Sequence, residues 1–267
     1  MIETLLVDGH VHLYPQFDLA HAIKHALDIM IIAQRTSSNR DDAIKIWLLT
    51  ERSDARAFES LKANPNLTGY QVVPTEESES LIIKNTATQE PVLYVLAGRQ
   101  IVTRENLEIF SLASEIQVAD RSLPAAECIQ HIRHQGGVPV VNWAPGKWFA
   151  ARGRVVTKLF EEFHPRELLL GDTTMRPKIW PTPRLMKSAM QKGFKVIAGS
   201  DPLPFTGEEE KIGTYNFIIR GEFDYSKPAA SIRKLLQDES TPIIHCGWRS
   251  GLFEFAKRQI KIMRQKD

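Results

Sequence analysis

Cysteine is almost missing: Cys128 and Cys246 are the only two in 267 residues. A disulfide framework is excluded, and their separation excludes a Cys-based zinc knuckle, so a reducing compartment is expected. Long apolar runs are missing as well. The longest, residues 27–33, is interrupted by Asp28 and falls far short of the ~20 residues that a membrane helix needs. Met1-Ile-Glu-Thr lacks the basic start of a signal peptide. A cytoplasmic protein without a membrane partner is therefore expected. Neither charge dominates, since 34 basic and 32 acidic residues leave +2, which gives no general reason to expect a nucleic-acid partner. No Gly-x-Gly-x-x-Gly, Walker loop or Gly-x-Ser-x-Gly elbow occurs, which removes the strongest signals for dinucleotide binding, P-loop chemistry and serine hydrolysis. Repeats, low-complexity tracts and long Pro/Gly/Ser linkers are absent too, so residues 1–267 are expected to form one domain.

What is present is a large apolar fraction, 43%, arranged in short runs that alternate with helix-period segments. Strands are expected at residues 4–7, 44–49, 69–73, 92–96, 116–118, 138–141, 168–170, 195–198 and 242–245. Asp18 is placed to cap a helix carrying Leu19, Ile23, Ala26, Leu27, Met30 and Ile31, and a second helix should end before Asn64-Pro65-Asn66. Repeated βα alternation predicts an α/β fold with a parallel sheet, and the strand number favours a distorted barrel over a doubly wound sheet. The segment with Leu252, Phe253, Phe255, Ala256, Ile260 and Met263 is expected to pack as a final helix whose flank offers a contact for a homo-oligomer.

The residues that can carry chemistry gather at predicted strand ends, where barrel enzymes build their sites. In Asp8-Gly-His10-Val-His12, alternate side chains of a strand share a face, so all three polar groups should project together. Two imidazoles so spaced can bind one ion, with Asp8 orienting or assisting them. Gly199-Ser-Asp201-Pro aims a further carboxylate from a late strand. Glu51 and Asp172 follow strands in the same manner, and Asn142 and His245 end two others. The metal set is thus expected to be His10, His12 and Asp201, with Asp8, Glu51 and Asp172 as catalytic carboxylates. Arg99, Lys147 and Arg176, with Arg152, Arg154 and Lys178 nearby, can clamp a phosphate or carboxylate. Asn142 and His245 join Arg99, Lys147 and Arg176 as expected substrate contacts. His21 and His25, at i and i+4, lack the adjacent glutamate of a zinc helix and belong on the surface, as do His131, His134 and His164. Trp143 and Trp148 should pack a loop onto the barrel.

Asp8-Gly-His10-Val-His12, the segment 136–145 (Gly-Gly-Val-Pro-Val-Val-Asn-Trp-Ala-Pro) and Gly199-Ser-Asp201 resemble, in this order, motifs of the polymerase-and-histidinol-phosphatase (PHP) superfamily. The resemblance implies a distorted (β/α)7 TIM-like barrel, a cluster of divalent metals (zinc, manganese or iron) and hydrolysis of phosphoesters by metal-activated water. It carries over to Asp8, His10, His12 and Asp201. Trp143-Ala144-Pro145 stands where that family has Ala-His-Pro, Leu203 stands where a histidine follows the Ser-Asp pair, and the glutamate after the third strand has no clean equivalent. A reduced site of one or two ions acting on a small anionic substrate is therefore expected. An amidohydrolase-like enzyme, or a barrel that binds a small anion or partner protein without catalysis, are the alternatives.

Overall fold

The computed structural model describes residues 2–37 and 42–264. Its elements run β1 (Ile2–Val11), α1 (Leu19–Gln34), β2 (Ile44–Leu49), α2 (Ala57–Ala63), β3 (Asn66–Leu67), β4 (Tyr70–Pro74), β5 (Ser80–Asn85), β6 (Pro91–Leu96), β7 (Gly98–Val102), β8 (Glu108–Leu112), α3 (Ala125–His134), β9 (Val138–Asn142), α4 (Ala150–Glu162), β10 (Leu169–Thr173), α5 (Arg184–Gln191), β11 (Val196–Gly199), β12 (Tyr215–Glu222), α6 (Pro228–Gln237), β13 (Ile244–Gly247) and α7 (Leu252–Arg264), with a 3-10 turn at Glu208–Lys211. Asp18 caps α1 by accepting the His21 N–H at 3.1 Å, and α2 stops ahead of Pro65, as the sequence predicts.

The strands form two sheets, ordered β13-β12-β1-β2-β6-β5-β4-β3 and β11-β10-β9-β8-β7. Of the strands expected from the sequence, β1, β2 and β6 pair in parallel, as do β9, β10 and β11, whereas those expected at 69–73 and 242–245 lie in antiparallel ladders as β4 and β13. The remaining ladders are antiparallel. Strands β3, β5, β7, β8 and β12 lie outside the strands expected from the sequence. Hairpin partners such as β5–β6 and β7–β8 follow each other through short turns, so no intervening helix pattern announces them. The predicted strand at 116–118 is irregular chain, with Ile116 and Val118 packed against a core cluster.

Three cores result. Leu5, Val7, Leu48, Phe110, Val140, Ile197 and Phe217 fill the space between the sheets. Leu6, Val11, Trp47 and Leu49 face α1 and α2, and Val141, Leu170 and Val196 face α3, α4 and α5. The sheets meet where glycine removes the side chain. A Cβ on Gly98 would strike the Leu49 carbonyl, and one on Gly199 would strike His10 itself. The seam holds the bridge Glu51–Arg99 and a hydrogen bond from Asp201 N–H to the His10 carbonyl at 2.9 Å. Among the described residues it does not become a continuous ladder. The predicted barrel is therefore corrected: the described residues form a mixed α/β fold with seven helices and two sheets, without a closed barrel.

Candidate metal centre

Along β1 the in-out alternation fails at one place, and the site depends on it. Asp8 sits opposite Trp47 while Val11 sits opposite Leu49, so β1 holds one extra residue there, a β-bulge. Trp47, Leu49 and Val11 belong to the helix-facing core, and Asp8, paired with Trp47, faces the same way. His10 turns instead toward the space between the sheets, its ring 4.4 Å from that of Phe110 between centroids. The expectation that Asp8 shares a face with His10 and His12 is thus corrected. Both Asp8 oxygens accept main-chain N–H groups, from Ser200 (2.9 Å), Gly213 (2.8 Å) and His10 (3.2 Å). Complete burial pushes its carboxyl up to about 6, against the pull of those donors. Asp8 ties β1 to the end of β11 and to the turn before β12.

His10, His12 and Asp201 converge. The two Nε2 atoms lie 2.9 Å apart, and Asp201 Oδ1 lies 3.4 Å from His10 Nε2 and 3.8 Å from His12 Nε2. Atoms bound to one ion at ~2.0–2.2 Å can stand at most about 4.4 Å apart, so all three separations fit a shared centre, and the three form a group able to hold a metal ion. Burial lowers both imidazoles to about 3, with the neighbouring His10 adding to the effect at His12. They are neutral at pH 7, the form that ligates metal. His10 Nδ1 is buried and has no hydrogen-bond partner among the described residues. Asp201 holds φ at 51°, a left-handed conformation that costs an L-residue roughly 1–2 kcal/mol.

The surroundings are polar and nearly closed. His10 and His12 are 2% and 5% exposed. Tyr14 stacks obliquely on His12 with centroids 5.6 Å apart, and burial followed by the Asp201 charge raises its phenol. Tyr14 and Arg52 line a cleft of about 550 Å³. Glu108 accepts from Asn142 Nδ2 at 3.1 Å and stands 3.6 Å from Lys147 Nζ. Burial raises its carboxyl, Lys147 and Asn142 oppose the rise, and the charge of Asp201 adds to it. Sequence reasoning placed Asn142 and Lys147 here but missed Glu108, Tyr14 and Arg52. Glu108 opens β8, an unpredicted strand; Arg52 directly follows Glu51, the only nearby signal.

The other predicted residues are occupied elsewhere. Glu51 accepts the Phe58 N–H at 2.7 Å and pairs with Arg99 at 3.3 Å, while Arg99 donates to the carbonyls of Arg52 and Ala55. Together they fasten the loop before α2. Asp172 and Arg176 form a two-pronged buried ion pair at 2.7 and 2.5 Å. The Tyr215 hydroxyl lies 3.0 Å from Asp172 and 3.1 Å from His245 Nδ1, and His245 Nε2 lies 2.7 Å from the Val196 carbonyl. None of these five is in the His-His-Asp group. Trp148 donates to the Asn142 carbonyl at 2.9 Å and packs on Phe160, the structural part expected of it. His21, on α1, reaches Glu210 at the surface, and His164 pairs with Glu239 at 2.9 Å.

Among solved structures the chain is similar to PsfC from Pseudomonas syringae, with a TM-score of 0.60 at 14% identity over 99% of both chains. That likeness concerns the fold alone. A two-domain Bacteroides vulgatus protein, described as containing a PHP-like metal-dependent phosphoesterase, aligns more distantly, with a TM-score of 0.46 at 14% identity over 91% of this chain and 65% of that one. No protein-family model and no curated protein matches. Among the described residues no helix is long and apolar enough to cross a membrane.

Proposed function

We propose that the chain is a metal-dependent hydrolase acting on a small anionic substrate, with phosphoesters foremost because of the motif resemblance. The observation that carries the reading is the convergence of two neutral imidazole nitrogens and one carboxylate oxygen within 3.8 Å of one another. His10, His12 and Asp201 would hold one divalent ion, and the donor set of two nitrogens and one oxygen suits zinc, manganese or iron. When bound, such an ion lowers the pKa of water toward ~7 and polarises an ester oxygen.

The chain's own groups do the rest. Lys147, ion-paired with Glu108 and partly exposed, and Arg52, whose charge reaches His12, attract and orient the anion. Glu108, whose carboxyl burial raises against the pull of Lys147, takes part in proton transfer to the departing oxygen. Asn142 donates to Glu108 at 3.1 Å and so orients that carboxylate. Asp8 acts through the main chain, keeping the bulge that aims His10 inward.

The test is hydrolysis of generic phosphomonoesters, phosphodiesters, amides and lactones by protein supplied with manganese or zinc. Turnover of phosphoesters that disappears in His10→Ala supports the reading, whereas turnover of amides or lactones alone moves it to the amidohydrolase class. The near-closed imidazoles favour one second reading, a module that binds an anion or partner without catalysis. Ion uptake with no turnover on any of these substrates would point there.

A further inference from the structure

We propose that Arg258, on α7, is a positioning residue for Asp201, so that the seating of this helix sets the affinity of the His10–His12–Asp201 group for its ion. The inference rests on the metal reading above.

The helix packs unlike the apolar stripe expected of it. Leu252, Phe253, Ile260 and Met263 stay largely in solvent, while the residue α7 buries is Arg258, 2% exposed. Its guanidinium donates to the Asp201 carbonyl at 2.7 Å and to Thr174 Oγ1 at 2.8 Å, and it pairs with Glu208 at 2.8 Å. Thr174 Oγ1 in turn donates to the Ser200 carbonyl at 2.5 Å. The main-chain groups around Asp201 are therefore all anchored: its N–H on His10, its own carbonyl on Arg258, and the preceding carbonyl on Thr174, which Arg258 itself contacts.

This anchoring explains how Asp201 keeps φ at 51°. A non-glycine residue stays in that region only while its surroundings hold it there. Released, the backbone relaxes toward negative φ and the carboxylate leaves its line with the two imidazoles. A planar guanidinium serves these acceptors at once, which a lysine ammonium cannot reproduce. Glu208 is the counter-charge, so Arg258 can be removed cleanly only with it, leaving no unpaired buried charge.

The experiment titrates zinc and manganese into metal-free wild type, Arg258→Lys, Arg258→Met/Glu208→Gln and Thr174→Val by calorimetry, with circular dichroism and urea unfolding of each. Weakening of ~10–100-fold is expected for the Arg258 variants that still unfold cooperatively, as for loss of other groups that orient metal ligands; Thr174→Val should lose less. A merely structural role for Arg258 would lower the unfolding midpoint yet leave the affinity of the folded protein unchanged, and that result overturns the proposal. His10→Ala separates the two readings. If wild type takes up no ion, or His10→Ala binds as wild type does, the metal reading fails. If His10→Ala loses the ion while folded Arg258 variants bind normally, only the assignment of Arg258 fails.

Discussion

Two polar clusters sit at strand ends, and from the sequence they look alike. In one, His10, His12 and Asp201 face each other, and His10 Nδ1 has no hydrogen-bond partner among the described residues. In the other, Asp172, Arg176, Tyr215 and His245 are joined by hydrogen bonds, and the carboxylate is matched by a forked guanidinium. The difference is one of leftover valence. A buried carboxylate whose lone pairs are all answered by protein donors holds the fold, and one aimed at two neutral imidazoles has capacity for a ligand.

The sharpest way to break this contrast is Asp172→Ala. It leaves the Arg176 guanidinium buried without its partner and should cost about 3–5 kcal/mol in urea unfolding, with ion binding by the folded fraction unchanged. Lost ion binding at full stability would place Asp172 in the site instead. Next comes Gly199→Ala, whose methyl would collide with His10. Overpacking of this kind costs about 1–3 kcal/mol, and here the ion should be lost together with the stability.

A third prediction uses pH. In the metal-free protein His10 and His12 titrate near 3 when folded, against 6.5 unfolded. Below 6.5 the unfolded chain thus binds more protons, and stability present above that value is lost as pH falls toward 3. Asp8, raised to about 6 from 3.8, opposes this: it contributes stability that grows as pH falls from 6 to 3.8. Two groups with the wider window outweigh one with the narrower, so urea midpoints should fall on acidification, and His10→Gln/His12→Gln should remove most of the slope. An unchanged slope would mean that the imidazoles are not neutral when folded. The smallest effect is expected from Lys147→Ala, a rise in KM for a phosphoester of under about tenfold with kcat nearly unchanged, read by steady-state kinetics.

Much of this was legible in the residues. Aliphatic runs separated by helix-period segments marked the parallel strands, because parallel strands buried on both faces need continuous apolar sequence. The convergence of His10, His12 and Asp201 was legible because histidine and aspartate at strand ends have few structural uses in combination. The antiparallel ladders were not, since hairpins leave no helical spacer. The bulge that turns Asp8 away was invisible as well, because its cause lies in the register with Trp47 and Leu49 rather than in β1. The ion pairs of Glu51 with Arg99 and of Asp172 with Arg176 were hidden for a related reason: the sequence shows the charge of a side chain and not the partner that neutralises it. Arg258 gave no signal at all, lying on a helix whose apolar neighbours suggested ordinary packing.

The most direct measurement is anomalous scattering from crystals grown with zinc or manganese and collected at the metal's absorption edge. The expected map has a peak about 2.0–2.2 Å from Nε2 of His10, Nε2 of His12 and Oδ1 of Asp201. Imidazoles still hydrogen-bonded to each other, with no anomalous peak at saturating metal, would contradict the metal centre and the hydrolase built on it.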